Sequence, residues 1–349
     1  MPWYAYLLAP AAFLFHGITA VRNFLFDRGL IPSQKSPIRT LVVGNLSVGG
    51  TGKTPWVEFL VRKLRDEVAV GTLSRGYGRK TKGFFQLIST STAAEVGDEP
   101  LQLFTQFKEE IPVFVGEDRV DATQKIKDFR PDLQLLILDD AFQHRKLNPD
   151  FRIVLTPYNY LFSKDYLLPM GRLRESRAGA KRADMVVVTK CPAELSQDEK
   201  NKLAKELAPY LNPEAELFFS TLNYGRPYQI AGPSKTDFNA VIALAGLADN
   251  GPFLAHCKQQ YEVVDSFSFP DHYAYKSEDA APILKVLGKE KGKNAVLLTT
   301  EKDAVKLKSL AATEMWSKIS IFALPIQVAI DPIQEEQLLH RLRKNLLHP

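Results

Sequence analysis

The sequence predicts an α/β protein: a mostly parallel sheet with helices on both faces, a smaller α/β unit after it, and an N-terminal membrane-associated helix before it. Three observations predict this. From residue 41 onwards, short apolar runs of strand length alternate with stretches of helical character, as expected for parallel strands joined by crossovers. One of these runs, Thr40-Leu41-Val42-Val43, opens directly into a glycine-rich turn and then a helix. Finally, Met1 to Val21 contains no Asp, Glu, Lys or Arg.

The chain of 349 residues, 45% hydrophobic and 24% charged, is long enough for a substantial core and two domains. It has no repeat or low-complexity tract, which excludes solenoid and disordered classes. Two cysteines, Cys191 and Cys257, form no disulfide framework and no metal cluster, so a reducing compartment is expected. The formal charge of +5 is modest and matters only where it is localised.

Residues 1–36 are the predicted interfacial helix and hinge. Trp3, Tyr4, Tyr6, Phe13, Ile18, Phe24 and Phe26 crowd the stretch, and its first basic side chain, Arg22, follows the apolar part. A secretory signal carries its basic residues first, so that reading is disfavoured. At about 20 residues the run is marginal for a span, and Pro10, His16, Gly17 and Thr19 weaken it. A helix lying in the interface, with Arg22, Arg28, Lys35 and Arg39 available to anionic headgroups, fits better. The plainer alternative is a helix capping its own domain.

Residues 37–215 read as a nucleotide domain of the P-loop NTPase type. In Gly44-Asn45-Leu46-Ser47-Val48-Gly49-Gly50-Thr51-Gly52-Lys53-Thr54, glycines let backbone N–H groups turn inward around an anion, and the next helix adds its unpaired donors. Ser47, Val48, Gly49, Gly50, Thr51, Gly52, Lys53 and Thr54 form the predicted phosphate cradle, Lys53 reaching the outer phosphates of ATP and Thr54 ligating Mg2+. Ser47 stands where the general pattern has its first glycine. A second strand, Val68 to Leu73, delivers Ser74-Arg75-Gly76-Tyr77-Gly78-Arg79. Asp98 and Glu99 precede a helix running from Leu101. They read either as caps of that helix or, beside a nucleotide, as proton acceptor and Mg2+ organiser.

The buried strand Leu133 to Leu138 ends in Asp139-Asp140, the form of an element that holds Mg2+ directly or through water. His144 and Arg145 follow, open to a cleft role or a structural one. Arg172 and Arg174 sit two apart on a loop with Pro169 and Gly171, and Arg172 is the predicted stabiliser of transferred phosphoryl charge. Residues 216–237 read as a linker with a strand pair, and 238–349 as the smaller α/β domain completing a cleft. There, Phe269-Pro270-Asp271-His272-Tyr273 stands out, His272 being open either to orienting or deprotonating Asp98 across that cleft or, as is commoner for a lone His beside aromatics, to a structural or surface role.

These motifs, in this order, resemble the tetraacyldisaccharide 4'-kinases of lipid A biosynthesis. The matching pieces are the loop from Gly44 to Thr54, Ser74 to Arg79, Gly97 to Pro100, Gly116 to Arg119, Leu138 to Arg145, Leu168 to Glu175 and Phe269 to Tyr273. Ser47 is then what the family's version of the loop looks like. The resemblance implies ATP- and Mg2+-dependent phosphorylation of the 4'-hydroxyl of an acylated glucosamine disaccharide 1-phosphate. It also implies peripheral or monotopic association with the cytoplasmic face of the bacterial inner membrane. By the same resemblance Asp98 is the base, His272 its support, Thr54, Glu99, Asp139 and Asp140 order metal or waters, and Arg172 opposes charge on the transferred group. Neither nucleic acid nor an obligate protein partner is expected. The alternative is a membrane-associated P-loop NTPase switch, which needs no base for a sugar alcohol.

Overall fold

The computed structural model describes residues 7–289 and 294–347; Trp3, Tyr4 and Tyr6 lie outside them. The chain opens with α1 (Ala9–Asp27) and the short β1 (Gln34–Lys35). It then enters β2 (Arg39–Asn45), α2 (Lys53–Leu64), β3 (Val70–Ser74), β4 (Phe85–Gln86), α3 (Ala93–Val96), α4 (Asp98–Phe107), β5 (Val113–Val115), α5 (Arg119–Phe129) and β6 (Leu135–Asp139). Next come β7 (Leu147–Asn148), β8 (Phe151–Pro157), β9 (Met185–Thr189), α6 (Gln197–Leu207) and β10 (Glu216–Tyr224). The remainder is β11 (Tyr228–Ala231), β12 (Ala240–Ala245), α7 (Gly251–Gln260), β13 (Glu262–Ser268), α8 (Ala280–Leu287), β14 (Val296–Thr300), α9 (Glu301–Leu310), β15 (Ile321–Leu324), β16 (Ile326–Ile330) and α10 (Pro332–Leu346).

Nine strands form the larger sheet in the order β16-β10-β9-β8-β2-β6-β3-β5-β4. Its interior is parallel, and antiparallel pairs occur only at its edges, β4 on β5 and β16 on β10. Successive residues of β2 serve opposite faces, as the strand pleat requires. Leu41 and Val43 pack with Trp56, Leu60 and Leu64 of α2, and Val42 packs with Ala122 and Ile126 of α5. Helices therefore cover both faces, which is why the central strands are apolar throughout.

The smaller sheet has five strands, β11-β15-β14-β12-β13, all parallel except β11. Its core lies between Ile242, Leu297 and Trp316 on one face and Phe253, Cys257 and Val296 on the other.

Three expectations change. The strands flanking residues 225–227 do not pair with each other: β10 joins β9 and β16 in the larger sheet, whereas β11 joins β15 in the smaller one. The segment expected to be a linker thus carries a core strand, with Phe218 buried. The boundary at 349 moves too, because β16 and α10 return to the larger unit, where Leu338, Leu339, Leu342 and Leu346 pack in its core. The helix expected from Leu101 starts earlier, so Asp98 and Glu99 occupy its first turn.

Candidate active site

β2 lies in the middle of the larger sheet with β6 on one side and β8 on the other, so the loop after β2 opens at the carboxyl ends of parallel strands. Val43 and Asp139 are paired across β2 and β6, which brings the phosphate loop and the carboxylates Asp139 and Asp140 together. Gly52, at φ 90°, caps α2, and no side chain caps the helix or places an acid in its first turn. Its leading N–H groups are left for an anion. Gly44 is required for a different reason: a Cβ there would lie 2.5 Å from Cβ of Phe142.

A cavity of about 850 Å³ opens between the two units, lined by the whole loop from Ser47 to Thr54. Glu99, Asp139, Asp140 and His272 line it as well. Asn45 braces the loop, its side-chain amide donating to the Ser47 carbonyl at 2.6 Å and to the Thr51 hydroxyl at 3.0 Å.

Lys53 Nζ is 3.9 Å from Asp140, and Arg174 grips the same carboxylate with two nitrogens at 2.7 and 3.0 Å. Burial works to raise the Asp140 carboxyl, yet these cations outweigh it and hold the group below the usual carboxylate range. Asp139 shifts the other way, raised by complete burial and then by Glu99. Its Oδ1 is buried with no hydrogen-bond partner.

That orphaned oxygen fits a hard divalent cation, which takes one or two carboxylates and completes its shell with water and phosphate oxygens. Thr54 and Glu99 line the same cavity. Among the described residues no trio of His, Cys, Asp or Glu encloses a metal by itself.

Asp98 sits just behind the cavity wall, 3.1 Å from Nδ1 of His272, which comes from the smaller unit. Burial pushes its carboxyl up, but the His272 hydrogen bond and the Lys306 charge prevail and hold it low. His272 adopts φ 57° and tilts against the Tyr77 ring, 5.2 Å between centroids. Asp140 and Lys190, at φ 51° and 55°, are also left-handed. Three non-glycine residues in this costly conformation around one cleft mark a place where packing overrides local preference.

Arg172, the expected stabiliser of transferred charge, does not line the cavity. Its Nε donates to Asp165 at 2.8 Å and its guanidinium lies 4.1 Å over Tyr160, outside the cavity lining. Arg174 lines the cleft instead, held there by Asp140. Arg119, Lys302 and Asp249, to which the sequence assigned no site role, line it too, as does Lys190. Arg119 is pushed down to about 10 by burial, with Asp139 opposing. His144 is pushed down to about 4, by burial first and by Arg119 second. For Lys302 one signal was available, its position at the start of a helix directly after a strand.

The family model for tetraacyldisaccharide-1-P 4'-kinase (LpxK) matches residues 4–346. A tetraacyldisaccharide 4'-kinase of Flavobacterium psychrophilum is 42% identical over 92% of this chain and 91% of its own. Another, of Porphyromonas gingivalis, is 36% identical over 98% and 97%. The crystal structure of "apo" form LpxK from Aquifex aeolicus in complex with ATP covers 97% of this chain and 99% of its own, with 30% identity and a TM-score of 0.74. The chain belongs to the tetraacyldisaccharide-1-P 4'-kinase family.

Proposed function

We propose that this chain binds ATP and transfers its γ-phosphoryl group to the 4'-hydroxyl of a tetraacyldisaccharide 1-phosphate, a step of lipid A biosynthesis. The observation that carries this reading is the 3.1 Å contact between Asp98 and His272 beside a cavity floored by the phosphate loop. A nucleotide switch needs the loop but has no use for a carboxylate held at a second substrate's edge.

In the proposed step the acceptor oxygen forms a bond to the γ-phosphorus while the bridging bond to ADP breaks, and the hydroxyl proton passes to Asp98. His272 orients that carboxylate. The N–H groups of α2 and the Lys53 ammonium hold the triphosphate, and Arg174, not Arg172, opposes charge on the group in flight. Asp139 would hold Mg2+, with Thr54 and Glu99 at hand and Asp140 held back by Lys53 and Arg174. When bound, the ion would neutralise charge on the phosphate oxygens.

Membrane association at the cytoplasmic face of the inner membrane rests on α1. Phe13, Leu14, Ile18, Val21 and Phe24 are all more than half exposed, and no described helix is long and apolar enough to cross a bilayer. Its basic flank is partly engaged: Arg22 donates to the Gln143 carbonyl, and Arg145 holds Asp27 at 2.7 Å. The helix is thus anchored at its C-terminal half with its apolar face uncovered, the arrangement that suits collection of an acylated substrate.

The decisive experiment follows labelled γ-phosphate from ATP into the purified lipid disaccharide. Label at the 4'-position, lost in Lys53→Ala, is expected. Release of inorganic phosphate with no labelled lipid would overturn the kinase reading in favour of a switch.

A further inference from the structure

Asp98 begins α4 in the larger unit, yet the smaller unit approaches its Oδ2 twice. His272 Nδ1 is 3.1 Å away and Lys306 Nζ is 3.5 Å away. Lys306, on α9, is only 8% exposed and is itself held from behind, 2.9 Å from Oδ1 of Asp303. Asp303 is wholly buried, and its Oδ2 accepts from the Gly246 N–H and the Thr300 hydroxyl, each at 2.8 Å. The ammonium also lies 5.2 Å from the centre of the Tyr275 ring. One turn earlier on α9, Lys302 is 2.9 Å from Asp271 and 3.6 Å from Glu99.

An i,i+3 pair such as Lys306 with Asp303 is self-sufficient if its only task is to hold α9. Burying its ammonium against a second carboxylate from another unit adds desolvation that stability alone does not call for. Both contacts on Asp98 fall on Oδ2: the hydrogen bond with His272 and the nearby charge of Lys306 draw that oxygen to one side and oppose rotation about the carboxylate's terminal torsion, which is otherwise soft.

We infer that Lys306 is a positioning residue for phosphoryl transfer: clamped between Asp303 and Asp98, it turns Oδ2 towards the smaller unit and presents Oδ1 to the acceptor hydroxyl. The geometry of the base then exists only while the two units are docked. This rests on Asp98 being the base. Lys306 lies outside the lining of the cavity that holds the phosphate loop, so its loss shows in turnover and not in nucleotide binding.

The test is steady-state kinetics of the full chain with ATP and tetraacyldisaccharide 1-phosphate in detergent micelles. Lys306→Met keeps the length of the side chain and removes its charge, and it should lower kcat about tenfold with KM for ATP changed less than about twofold. Lys306→Arg should restore part of the loss, and Lys306→Met should cost nothing further in an Asp98→Ala background, as expected for residues acting as a unit. A fall in kcat below about threefold, or a full additive loss on top of Asp98→Ala, overturns the inference while leaving Asp98 as base. Unchanged kcat in Asp98→Ala alone overturns the base reading and the inference with it. Should Lys306→Met fail to fold, Asp303→Asn decides. With its anchoring charge gone, kcat should fall by about threefold or more at constant KM for ATP, and a smaller fall overturns the clamp.

Discussion

Arg172 and Arg174 stand two positions apart and meet different surroundings. The guanidinium of Arg172 is spent on Asp165 and Tyr160, whereas Arg174 spans Asp140 and Asn45 at the floor of the cleft. Removing Arg174 leaves Asp140 with Lys53 alone, which draws the lysine away from phosphate. Arg174→Ala should therefore lower kcat by about 10²-fold and Arg172→Ala by less than about threefold, read as initial rates of lipid phosphorylation. Glu58 gives a second test at this scale. It is buried on α2, accepts from the Gln102 amide at 3.0 Å, and is pushed up to about 8, by burial first and by Glu301 second. An acid with a raised folded pKa binds its proton more tightly folded than unfolded, so stability falls as pH rises from the unfolded value near 4.3 to about 8. Glu58→Gln can still accept from Gln102 and escapes that cost. It should be more stable than the parent by on the order of 1–3 kcal/mol at pH 8–9, and the gain should vanish near pH 4, measured by urea melts.

At the scale of elements, α1 and α10 are opposites. Among the described residues α1 buries only Ala12 and Thr19, and its attachment is polar. Deleting residues 1–26 should leave the melting temperature within about 3 °C, a loss below 1 kcal/mol for a chain of this size, while abolishing flotation with anionic vesicles. A deletion variant that still floats with the vesicles would place the membrane contact elsewhere. The amphipathic α10 also has polar ties, such as Arg343 with Glu67 at 2.7 Å, but it inserts four leucines into the core of the larger sheet.

For the molecule as a whole, the smaller unit is an excursion from the larger one: the chain leaves after β10 and comes back as β16, which lies antiparallel on β10. Ending the chain at Asp331 should therefore unfold the larger unit, since each lost buried leucine costs about 2–5 kcal/mol. Circular dichroism and ATP binding should both be lost. Retained ATP binding would mean that α10 is dispensable. Both ends of the excursion are tied into one sheet, and Asp98 and His272 face each other between the units, 174 positions apart in the chain.

Much of this was legible in the chain itself. Ser47 to Thr54 and Asp139-Asp140 declare themselves because each is a local pattern, an apolar strand followed at once by the residues its carboxyl end presents. The resemblance to a family added the partnership of Asp98 and His272, which no spacing rule supplies. Hidden were the clamp at Lys306 and the membership of β10, β16 and α10 in the larger unit. Each depends on which strand pairs with which and in what register, and a one-residue shift of register turns a side chain to the opposite face. Periodicity fixes the elements one at a time; the pairing of distant strands, settled only when both cores close, decides which side chains share a cleft.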